Sequence, residues 1–206
     1  KMAVSPSKGL TRPFASAARR SRGQPFVYCA VDGTSLTLTD RARQKGFGSI
    51  GSRAEKGRGL KVMNAMLLSP QGVPLGMSAQ QWWVRGNRRH KHRDQLSPHE
   101  KETKHWLDAM VGTRAVMAAH APETACWFQL DREGDAWPIL MDAGVDGHWF
   151  TVRACRKRRV ILANGERGYL RELLAQQPVM TEYPLAIRAA PKRSARASSA
   201  AETASP

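Results

Sequence analysis

The chain has 206 residues, 41% hydrophobic and 24% charged, which is ordinary for a globular protein with one core or a core plus a smaller unit. No apolar run approaches the roughly 20 residues that span a bilayer, and the basic start has no apolar stretch of a secretory signal, so a cytoplasmic location is expected. Lys and Arg total 33 against 17 acids, a net charge of +16, and such an excess points to a polyanionic partner, because each neutralised phosphate releases a condensed counterion.

Basic residues concentrate at 19–22, 85–93 and 153–159. Residues 1–24 hold Ser, Ala and Arg, no acid and weak periodicity, and read as a basic flexible arm or the remnant of an upstream helix. Phe26-Val27-Tyr28-Cys29-Ala30-Val31 predicts a buried strand ending at Asp32-Gly33. Gly46, Gly48, Gly51, Gly57 and Gly59 mark a flexible basic loop. Residues 60–69 and 73–84, joined by Gln71-Gly72, predict a hairpin. Over 98–120 the spacing predicts a helix with Trp106, Met110, Val111 and Ala115 as its apolar stripe and Ser97-Pro98-His99-Glu100 as its start. Strands at 124–130 and 149–152 flank a short helix at 135–143. Beyond Arg156, short strands are expected at 160–162 and 184–187 around a helix at 170–175, and 189–206 reads as a disordered basic tail. The order β-β-β-α-β-α-β defines an α/β fold.

Asp32 and Asp131 each close an apolar strand. If those strands are neighbours in one sheet, both carboxylates emerge at one edge. Hard divalent cations such as Mg²⁺ take oxygen ligands there and keep several waters. Two such cations about 4 Å apart stabilise the attacking and leaving oxygens of an in-line phosphoryl displacement. A lone aspartate at a strand end is ordinarily a turn or cap residue, so the reading rests on the pair, the element order and the charge together. His90 and His92 lie among cations and read as a solvated loop. Trp82 and Trp83 must face opposite sides of a strand, with one in the core. Met63, Met66 and Met77 read as core filling. Cys29, Cys126 and Cys155 lack metal-ligand spacing and are expected to be reduced thiols.

Val31-Asp32-Gly33-Thr34-Ser35-Leu36 resembles the first-aspartate motif of bacterial insertion-sequence DDE transposases, in the branch that includes the transposase of the kanamycin-resistance composite transposon. Gly48-Ser49-Ile50 with Lys56, Arg58 and Gly59 is similar to the glycine-rich segment of that branch, and Gln81-Trp82-Trp83-Val84-Arg85 to its third core strand. Glu100-Lys101-Glu102 with Lys104 and Trp106 resembles the start of its first core helix. Leu130-Asp131-Arg132-Glu133-Gly134-Asp135 resembles its Asp-Arg-Glu-Ala-Asp segment, with Gly134 in place of Ala, and Phe150-Thr151-Val152-Arg153 the strand that follows. The resemblance spans residues 26–187. It implies a partial ribonuclease-H-like catalytic core with a mixed sheet at 25–156 and the start of an inserted β subdomain at 157–188. It also implies Asp32 and Asp131 as catalytic, metal-binding carboxylates for Mg²⁺ or Mn²⁺. Arg153, Lys56, Arg58 and Arg156 become the expected DNA contacts, and double-stranded DNA, as transposon end and target, the expected partner. In that family, metal-activated water nicks the transposon end and the freed 3′-hydroxyl attacks the target.

The family's third carboxylate lies in a Tyr-x-x-Arg-x-x-x-Glu-x-x-x-x-x-x-Lys pattern that has no match here. Tyr169-Leu170-Arg171-Glu172 has the wrong spacing, so Glu172 is set aside. The family's end-recognition and dimerisation regions find little counterpart either. The expectation is therefore a truncated, catalytically impaired transposase fragment. A non-catalytic DNA-binding or inhibitory remnant is the alternative, and a nuclease that recruits Asp135 is a third reading.

Overall fold

Val27, Cys29 and Val31 are buried while Phe26, Tyr28 and Ala30 between them are half-buried, the period-two signature of a strand packed more tightly on one face. The computed structural model describes residues 11–42, 44–50, 57–85, 101–143, 147–154, 157–182 and 184. The chain divides into two compact units, Lys1–Arg156 and Lys157–Pro206.

In the first unit the described helices are α1 (Thr11–Arg20), α2 (Thr103–His120) and α3 (Trp137–Ala143). Its described strands are β1 (Phe26–Thr37), β2 (Gly48–Ser49), β3 (Arg58–Leu68), β4 (Pro74–Trp83), β5 (Ala125–Leu130) and β6 (Trp149–Val152). They form one mixed six-stranded sheet. β3 runs antiparallel to β1, and β2 and β4 both pair with β3. On the other side β5 runs parallel to β1 and β6 parallel to β5. Parallel neighbours need a crossover, and α2 and α3 lie in the two crossover connections. The fold is mixed α/β.

One sheet face builds the core. Val27, Cys29, Val31, Met63, Ala65, Leu67, Cys126, Phe128 and Leu130 cluster there with Ala17 and Ala18 of α1, Trp106, Ala109, Met110 and Met117 of α2, and Ile139 of α3. On α2 the buried positions are Trp106, Ala109, Met110, Thr113 and Met117, so the expected stripe is out of phase: Val111 is 51% exposed and Ala115 is exposed too. Small residues set the phase, because the helix approaches the sheet closely; a Cβ on Gly112 would sit 3.6 Å from that of Ala79. Of the three methionines expected in the core, only Met63 is fully buried. Cys29 and Cys126 are free thiols, and burial pushes them up to about 12 and about 11, which keeps them protonated and unreactive. Cys155 lies outside the described residues.

The opposite face carries Phe26, Tyr28, Trp127 and Trp149 in mostly edge-on aromatic contacts, with centroids 5.3–5.9 Å apart. Trp127 also donates its indole N–H to Thr151 Oγ1 at 2.9 Å.

Of the two readings of the start, a flexible arm does not hold for residues 11–24, which contain the helix α1. Ala17 and Ala18 of α1 and Ser21 just after it are completely buried, Arg20 Nη1 donates to Leu75 O at 2.7 Å, and Arg22 Nε to His120 O at 2.6 Å. Alanines, not large apolar residues, face the sheet, so hydropathy gives little warning. Residues 1–10 lie outside the described residues, as does the start proposed at 97–100. β1 also outruns its expected end at Asp32-Gly33: it continues to Thr37 because β3 pairs with it from Leu68 back to Gly59. Within the expected glycine-rich loop, Gly48 and Gly59 are strand residues.

In the second unit β7 (Arg159–Ile161) and β8 (Arg167–Tyr169) form an antiparallel pair, followed by α4 (Leu170–Ala175), whose Leu173 covers Gly168. The strand expected at 184–187 and the tail at 189–206 lie outside the described residues, apart from the irregular Pro184. No described helix is long and apolar enough to cross a membrane.

β4 follows β3 with two register shifts, at Ala65/Met66 and Leu67/Leu68, which bring Gly76 beneath α1 at φ +129. A Cβ there would stand 3.0 Å from Ala17 Cβ. Gly76→Ala is expected to destabilise the fold by about 1–3 kcal/mol through backbone strain and overpacking, measured as a lowered urea midpoint.

Candidate functional site

The parallel ladder between β1 and β5 ends on the pair Val31↔Leu130. Asp32 and Asp131 are therefore the next residues on two adjacent strands, spaced about 4.8 Å apart. Each follows a buried residue, Val31 or Leu130, and is itself exposed, so the strand alternation sets both on the face away from the helices. Each carboxylate has one oxygen tied by a backbone donor. Gly33 N–H donates to Asp32 Oδ1 at 2.8 Å, and Glu133 N–H to Asp131 Oδ1 at 2.8 Å, where Asp131 caps the single 3₁₀ turn Arg132–Gly134. The second oxygens accept no hydrogen bond among the described residues.

The same level of the sheet continues on both sides. Beyond Asp131, Arg153 follows the pair Leu130↔Val152; its N–H donates to Leu130 O at 3.1 Å and its side chain is exposed. Beyond Asp32, the ladder partners are Asn64 on β3 and then Gln80 on β4. A polar row, Arg153–Asp131–Asp32–Asn64–Gln80, thus crosses five strands on one face. Gln80 Nε2 donates to Asn64 Oδ1 at 2.9 Å, and Trp82 Nε1 donates to Gln80 Oε1 at 3.0 Å. Asn64, Gln80 and Trp82 were not marked by sequence reasoning as site residues. The available signal was Asn64 itself, a polar residue inside the apolar run Val62-Met63-Asn64-Ala65-Met66.

The donor set fits a hard cation: two exposed carboxylates on neighbouring strands, each with a free oxygen. Among the described residues no group of three or more His, Cys, Asp or Glu is placed to hold a metal ion. Asp135 is buried, unlike the exposed Asp32 and Asp131. Arg58 begins β3, about six residues or roughly 20 Å along the strand from the level of Asp32. Its Nη2 donates to Phe47 O, so the guanidinium braces the backbone ahead of β2. Lys56, Arg156, His90 and His92 lie outside the described residues.

Part of the basic excess is engaged internally. Glu102 takes a bidentate contact from Arg85, at 2.6 and 2.7 Å, and a third from Lys61 Nζ at 3.3 Å. Burial alone would raise the Glu102 carboxyl, but the Arg85 hydrogen bonds and the two cations override it and hold it at about 2. The same hydrogen bond raises Arg85. Trp83 stacks on His105 with centroids 3.8 Å apart, and burial lowers that histidine from its ordinary value. Both tryptophans of the 82–83 pair are half-buried and engaged, one by a hydrogen bond and one by stacking.

No family model matches the chain, and no curated protein matches it.

The Glu102 cluster ties β3 and the end of β4 to the start of α2. Its carboxyl drops from 4.5 to about 2 in the folded chain. A depressed carboxyl contributes stability above its unfolded value and loses it as the pH falls through the folded one. Glu102→Gln is expected to cost about 1–2 kcal/mol at pH 7. That difference from the parent should vanish between pH 4.5 and pH 2, as read by urea unfolding across that range.

Proposed function

We propose that this chain is a metal-dependent DNA-processing core of the DDE transposase type, built on a ribonuclease-H-like sheet. The observation that carries the reading is the pairing of β1 with β5, which seats Asp32 beside Asp131 at one level of an open sheet face. The motif resemblance and the net charge of +16 support the same substrate, double-stranded DNA.

In this reading Asp32 and Asp131 bind Mg²⁺ or Mn²⁺ through the oxygens that Gly33 and Glu133 leave free. The bound cations supply Lewis acidity and an activated water for phosphodiester cleavage. Arg153, flanking Asp131 on the same face, holds a non-bridging oxygen of the phosphate through its guanidinium fork. Backbone N–H groups hold both carboxylates in place, so no reorganisation of them is needed when a phosphate arrives. Lys56 and Arg156 are proposed as further phosphate contacts, whereas the Arg58 guanidinium, expected to join them, is engaged by Phe47 O.

A second reading, DNA binding without catalysis, is favoured by the net charge of +16, which supplies affinity for a polyanion whether or not a metal is bound.

Duplex DNA and Mn²⁺ titrations separate these readings. DNA affinity is expected to fall steeply with salt, each phosphate contact adding about 0.9 to the logarithmic slope. Mn²⁺ affinity is expected to fall at least about tenfold in Asp32→Asn and in Asp131→Asn. Nicking in Mn²⁺ that both substitutions abolish supports the enzyme. DNA binding with no nicking supports the second reading, and Mn²⁺ binding indifferent to both aspartates contradicts the metal site.

A further inference from the structure

We infer that Asn64 is a positioning residue for Asp32, held as a hydrogen-bond donor by a chain that begins at the indole of Trp82; the inference rests on the metal-site reading above.

An amide side chain can present its oxygen or its NH₂ in either direction, so an isolated Asn–Gln contact has no defined polarity. Trp82 removes the ambiguity. An indole N–H only donates, so the atom of Gln80 it meets at 3.0 Å must be Oε1. The other end of the Gln80 amide is then NH₂, and it meets Asn64 at 2.9 Å on what must be Oδ1. That leaves the two Nδ2 hydrogens of Asn64, which have no hydrogen-bond partner among the described residues. Polarity therefore runs one way across the sheet, from β4 through β3 toward β1.

The β1–β3 ladder sets Asn64 directly opposite Asp32, and directly opposite residues hold their Cβ atoms about 4.5–5.5 Å apart on one face. Asp32 Oδ1 already accepts from Gly33 N–H. The remaining lone pairs of the carboxylate are thus offered a donor from the β3 side and a cation from the Asp131 side. A donor held on one side turns the carboxylate's other lone pairs toward the cation, as outer-shell hydrogen bonds do at metal sites. Half-burial of Asn64, Gln80 and Trp82 protects the chain from competing water.

Mn²⁺ binding to the full chain tests this without reference to any activity. Calorimetric titrations would compare the parent, Asn64→Ala, the near-isosteric Asn64→Leu, Trp82→Phe and the double variant Asn64→Leu/Trp82→Phe. Both Asn64 variants are expected to weaken Mn²⁺ about tenfold. Trp82→Phe, which keeps the ring but frees the amide of Gln80 to flip, is expected to weaken it about threefold. In the Asn64→Leu background Trp82→Phe should have no further effect, since coupled residues are non-additive. A Trp82 effect that persists unchanged without the Asn64 amide would overturn the inference, as would an Asn64→Leu affinity equal to the parent's. If Mn²⁺ binding is lost on Asp32→Asn yet untouched in every Asn64 variant, the metal site stands and the positioning role falls. If the parent binds no Mn²⁺, both fall together.

Discussion

The parallel ladder between β1 and β5 runs from Phe26/Ala125 to Val31/Leu130, and the candidate site depends on where it stops. β5 ends at Leu130, where Asp131 turns into a 3₁₀ turn and caps it. β1 continues, held on its other side by β3. One strand therefore delivers its aspartate at a terminus and the other delivers its own in mid-strand, yet both carboxylates share one level and one face. A slip of one residue in this ladder would turn one of the two toward the core. The register is protected by what lies beneath: Val27, Cys29 and Val31 interlock with Cys126, Phe128 and Leu130 under α2 and α3.

The two sheet faces divide the work. The helix face is apolar and tightly packed, with small residues where α1 and α2 approach: Ala17 and Ala18 on one, Ala109 and Gly112 on the other. The other face has a polar row at the level of the aspartates and an aromatic group of Phe26, Tyr28, Trp127 and Trp149 toward the start of β1. From Asp32 to Tyr28 and from Asp131 to Trp127 the surface changes from acid-bearing to aromatic within four residues of strand. The net charge does not translate directly into a binding surface, because Arg20, Arg22, Arg58, Arg85 and Arg114 all hold internal carbonyls or carboxylates. Arg153, exposed beside Asp131, is placed differently.

Much of the sheet was legible from alternation and turn chemistry: the strands near 26–31, 60–69, 73–84, 124–130 and 149–152 correspond to β1, β3, β4, β5 and β6. Missed features share physical causes. α1 packs through alanines, which hydropathy does not distinguish from an arm. The extension of β1 through Gly33-Thr34-Ser35 has poor strand propensity and exists because β3 pairs with it. On α2, adjacent Met110 and Val111 left the phase open, and the close approach to Ala79 decided it. At the site, Asp32 and Asp131 were readable because each closes an apolar run. Asn64, Gln80 and Trp82 were not, because their alignment depends on a register interrupted by two shifts between β3 and β4.

Paramagnetic broadening of backbone amide signals by Mn²⁺ tests the central claim most directly, because it maps a bound cation onto the fold without assuming any reaction. With substoichiometric Mn²⁺ the account predicts that the earliest signals lost are those of Gly33, Glu133 and Arg153, one in mid-strand and two just past strand ends, which only the β1–β5–β6 pairing brings together. Loss centred instead on the Glu102 and Asp108 end of α2, or uniform loss across the chain, would contradict it.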